Sequence, residues 1–68
     1  MPVPPTVRLA NEIAAQFHHQ SADRAAAAIA QHIRAFWEPR MREELLQHTT
    51  STPEALDPLV VAAARLVS

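Results

Sequence analysis

Four histidines, seven carboxylates, six arginines and a handful of hydroxyls are the side chains here with chemistry to offer. Their spacing decides what that chemistry could be. A zinc site needs ligands that converge, commonly two histidines four residues apart on one helix. His18, His19, His32 and His48 contain no such pair. The adjacent His18 and His19 would point about 100° apart on a helix, so all four read as polar surface or helix-end residues. General acid–base work needs a carboxylate whose pKa is shifted by a pocket, and each acid already has an ordinary duty. Asp23, Glu43, Glu44 and Glu54 fall where first helical turns are expected, and Glu38 and Asp57 precede prolines that open helices. Ser21, Ser51 and Thr52 read as helix caps rather than nucleophiles. With no Cys there is neither a thiol nucleophile nor a ligand for an iron–sulfur cluster. With no Gly there is no phosphate-cradling glycine loop. A net charge of −1 lacks the basic footprint that nucleic acid requires. The expectation is a chain with no catalytic, cofactor-binding or metal-ligating residues of its own.

The elements that position these groups are helical. Residues 1–5 form a proline-rich lead-in, and residues 6–68 a single helical domain. Leu9, Ile13 and Phe17, flanked by Ala10 and Ala14, repeat at the four-residue spacing of one helix face, with Thr6 as N-cap and an end near His18-His19-Gln20. Ser21 caps a second helix whose stripe is Ala26, Ile29, Ile33 and Phe36/Trp37, with Asp23 favourably placed in its first turn. That helix stops near Trp37, because Pro39 pushes Glu38 out of helical geometry. Pro39 opens a third helix with Glu38 at its cap. Met41, Leu45 and Leu46 face inward on it, and Arg40 can pair with Glu43 or Glu44. Ser51-Thr52-Pro53-Glu54 matches a capping box, with Thr52-Pro53 as the competing start. After Asp57-Pro58 a last helix carries Leu59, Ala63 and Leu66/Val67 on one face, with Val60 beside them. No segment alternates with period two. The fold class is all-α: a helical hairpin, a proline corner and two shorter helices.

The core is thin. Fourteen of the 68 residues are Ala, while Leu, Ile, Val and Phe total 16. A chain this short buries only about 60% of the surface it exposes when unfolded, and no disulfide can supplement it. A partner is the remaining stabiliser. The segment suited to meet one is Phe36-Trp37-Glu38-Pro39-Arg40-Met41-Arg42. Consecutive aromatics on a helix cannot both enter one small core, so one reaches outward. Trp, Met and Arg are enriched in interface cores and hot spots. The expected docking residues are Phe36, Trp37, Pro39, Arg40 and Met41, with Arg34 and Arg42 as charged rim contacts.

At this corner the chain resembles the delta subunit of the NAD-dependent, molybdenum-containing formate dehydrogenases of the cytosol. The matching stretches are Val7-Arg8-Leu9-Ala10-Asn11-Glu12-Ile13, then residues 29–42 around Phe36-Trp37-Glu38-Pro39-Arg40-Met41, then Leu45-Leu46-Gln47-His48 and Leu56-Asp57-Pro58-Leu59-Val60. Two departures stand out: Glu38 where the family usually has Asp, and Thr49–Ala55 where its connection is typically Gly-rich. The resemblance implies a non-catalytic accessory subunit that stabilises the assembly or assists molybdenum-cofactor maturation. Its partners would be an alpha subunit with molybdenum bis-pterin and iron–sulfur clusters, a beta subunit with FMN, and a gamma subunit with a further cluster.

The expected location is cytoplasmic and away from membranes. Residues 1–5 have neither the cationic start nor the apolar run of a signal peptide, and Ala25–Ala30 is far too short to span a bilayer. The alternative reading is a free-standing helical regulator, nucleic-acid-binding or antitoxin-like, using residues 29–48 as a helix-turn-helix. Glu43 and Glu44 on its second helix would face phosphate with the wrong sign.

Overall fold

Prolines set the start of three helices. In the computed structural model, which describes residues 3–67, α1 spans Pro5–Ala15, α2 Ala22–Phe36, α3 Pro39–Ser51 and α4 Pro58–Val67, with a short 3-10 turn at Pro53–Ala55. Proline suits a first helical position because its φ is already helical and its missing N–H would have no partner there. The second helix begins instead on a side-chain cap, the Ser21 Oγ accepting from the Arg24 N–H at 3.4 Å. No strand occurs among the described residues. Met1 and Pro2 of the expected lead-in lie outside them; Val3 and Pro4 are exposed, and Pro5 is already helical.

The core gathers Val7 and Ala10 from α1, Ile29 and Ile33 from α2, Leu45 from α3 and Val60 and Ala63 from α4. Ile29, Ile33, Leu45, Val7 and Val60 are its largest fully enclosed side chains. Buried alanines at 10, 14, 30 and 63 fill the spaces between them, which lets helix axes come close together. The most extensive packing is α2 against α4. These two run in the same direction. Arg34 near the end of α2 donates to the Leu66 carbonyl near the end of α4, and His18 ahead of α2 meets Asp57 ahead of α4. The first two helices touch less than a dominant hairpin would require, and α3, at 13 residues, outlasts α1 at 11. The radius of gyration of 10.7 Å matches the roughly 11 Å of a closed domain of this length.

Several expectations shift by part of a turn. The face of α1 that is buried is Thr6, Val7, Ala10 and Ala14, while Leu9 is 40% exposed and Ile13 and Phe17 only partly covered. Small residues face the neighbouring helices, and the bulkier ones ride on the flank. Thr6 is not the cap, a position taken by Pro4; it lies inside the first turn with its hydroxyl donating to Glu44 Oε2 at 2.8 Å. The helix ends at Ala15 rather than near Gln20, because Gln16 and Phe17 bond back three residues instead of four. On α4 the enclosed residues are Val60, Ala63 and Ala64, and Leu66 is exposed.

The capping box at Ser51 does not form. Ser51 Oγ donates to the Gln47 carbonyl at 2.9 Å, while Thr49 and Thr50 both return to the Leu46 carbonyl. Hydroxyls bonded backward onto α3 in this way are unavailable to start the next element. The Thr52-Pro53 start prevails, as a 3-10 turn without a side-chain cap.

The linker into α4 is instead held by α1. The Asn11 Nδ2 donates to the Ala55 carbonyl at 3.0 Å, and its Oδ1 accepts from the Asp57 N–H at 2.8 Å. Asp57 caps α4 in turn, its Oδ1 accepting from the Leu59 N–H at 2.9 Å while Oδ2 meets His18 Nε2. An ordinary hydrogen bond contributes about 1 kcal/mol net, so Asn11→Ala is expected to lower unfolding free energy by about 2 kcal/mol. Urea denaturation checks this; an unchanged midpoint would mean that the linker stays in place without α1.

Candidate docking site

The corner between α2 and α3 is built by one proline. Pro39 forces the residue before it out of helical geometry, and both Trp37 (φ −90°, ψ 136°) and Glu38 (φ −73°, ψ 160°) are extended. The Trp37 N–H still closes α2 on the Ile33 carbonyl at 2.9 Å, and the Arg42 N–H opens α3 on the Glu38 carbonyl at 3.1 Å. Glu38 makes no side-chain cap, in keeping with its longer side chain.

The two aromatics part company here. Trp37, expected among the docking residues, is only 8% exposed and belongs to the core. Leaving the helix at this residue turns its indole inward. The bend is therefore sheltered by the chain itself, which removes Trp37 as a surface contact and weakens the argument that the fold needs a partner for cover. Phe36 takes the outward role at 75% exposure, the highest among the large apolar side chains left uncovered. Its ring lies 4.8 Å from that of His32, tilted by 40°. This contact was missed, although the four-residue spacing of two rings on one helix was there to be read.

The other expected residues divide. Pro39 and Arg40 are exposed, Arg42 is half-buried, and Met41 packs against the core as foreseen. No ion pair joins Arg40 to Glu43 or Glu44 among the described residues. Glu44 instead receives the Thr6 hydroxyl, and both acids lie beyond the first turn in which they were placed. Arg34 is occupied at the Leu66 carbonyl, the end of a helix where cations are favoured. It fastens α4 rather than rimming a docking face.

Elsewhere the surface offers an open depression of about 390 Å³ between α3 and α4, lined by Leu46, Thr49, Thr50, Val61, Ala64 and Arg65. Its two threonine hydroxyls are already bonded to the Leu46 carbonyl. Among the described residues no three His, Cys, Asp or Glu side chains gather as metal ligands, and no helix is long and apolar enough to cross a membrane.

No curated protein and no solved structure matches the chain. A family model does, over residues 6–64, a span that includes the Asn11 clamp, the Phe36–Arg42 corner and the Asp57 cap. The chain belongs to the FdsD family, the delta subunit of NADH-dependent formate dehydrogenase.

Proposed function

We propose that this chain is a non-catalytic accessory subunit, docked on another subunit of a formate dehydrogenase and supporting its assembly, stability or molybdenum-cofactor maturation. Family membership supplies the complex. The observation that carries the docking role is Phe36, a ring left in solvent at a fixed corner beside Pro39 and Arg40. The catalytic alpha subunit is the partner in this reading, with beta and gamma in the same complex and a cytoplasmic location. Molybdenum bis-pterin, iron–sulfur clusters and FMN are assigned to those other chains. Cys, the usual ligand of iron–sulfur clusters, is absent from this sequence, and among the described residues no three His, Asp or Glu side chains gather as metal ligands.

Loss of an aromatic interface anchor commonly costs about 2 kcal/mol or more. Phe36→Ala is therefore expected to release the chain from the co-expressed complex about 30-fold faster, while the isolated variant melts like the parent. Retention at wild-type stoichiometry through gel filtration would count against docking at this corner. Deletion of the chain separates the two accessory roles. An alpha subunit low in molybdenum cofactor points to maturation, and a loaded enzyme that dissociates points to structural support.

A further inference from the structure

We draw no further inference here: the strongest candidate, the open depression between α3 and α4 lined by Leu46, Thr49, Thr50, Val61 and Ala64, carries nothing because both threonine hydroxyls are already bonded to the Leu46 carbonyl and nothing in the structure shows what covers it.

Discussion

Trp37→Ala is expected to lower the unfolding free energy by about 3–5 kcal/mol, the range for removing a large aromatic from a packed interior. Native domains of this length are held together by about 3–10 kcal/mol in all, so the variant should be largely unfolded at physiological temperature. The reason lies in the corner. Once α2 stops at Phe36, the indole at residue 37 turns into the core to which all four helices contribute. Circular dichroism with urea titration of the isolated chain measures the effect. A midpoint equal to the parent's would mean that the indole is not enclosed. Together with Phe36→Ala the variant separates two roles that adjacent residues share: one removes the fold, the other only the docking ring.

The second large effect is expected at Ile29→Ala, about 2–5 kcal/mol. Ile29 is fully enclosed, on the helix pair with the most extensive packing. Ile29 shares its core with Val7, Ile33, Leu45 and Val60, and buried alanines fill the spaces between these larger side chains. Ile29→Val, which removes one methylene, should cost about 1 kcal/mol, and the ratio of the two losses reads how far the site relaxes. Equal, small losses for both would show a loosely packed seam.

Much of the local punctuation was legible in the sequence, the Thr6 cap, the end of α1 and the Ser51 capping box excepted, whereas the facing of α1 was not. Ser21 as a cap, Pro39 and Pro58 as helix starts, and the end of α2 ahead of Glu38-Pro39 follow from backbone chemistry that acts over a few residues. The buried face of α1 does not follow in this way. Leu9 and Ile13 are its bulkiest apolar residues, yet Val7, Ala10 and Ala14 are inside, because close helix contact selects for small size as well as hydrophobicity. The pair Phe36-Trp37 announced that one ring must leave the core. Which one depends on the residue at which the helix unwinds, and one residue of difference reverses the assignment. The Asn11 clamp joins positions more than forty residues apart, a relation that no local pattern encodes. At the corner, the proline bend was readable and the enclosure of Trp37 was not.

The parallel placement of α2 and α4 has a consequence for cooperativity. Two neighbouring helices joined by a short turn can form a closed pair early, from nearby parts of the chain. Here the main seam instead unites segments separated by all of α3 and the 3-10 turn. No contiguous two-helix fragment contains it. Closing that long excursion has to precede the contacts that reward it, and a cut anywhere within residues 37–57 would part the two halves of the seam. The molecule is thus expected to unfold as one unit, in which α4 matters to integrity as much as the hydrophobic centre of α2.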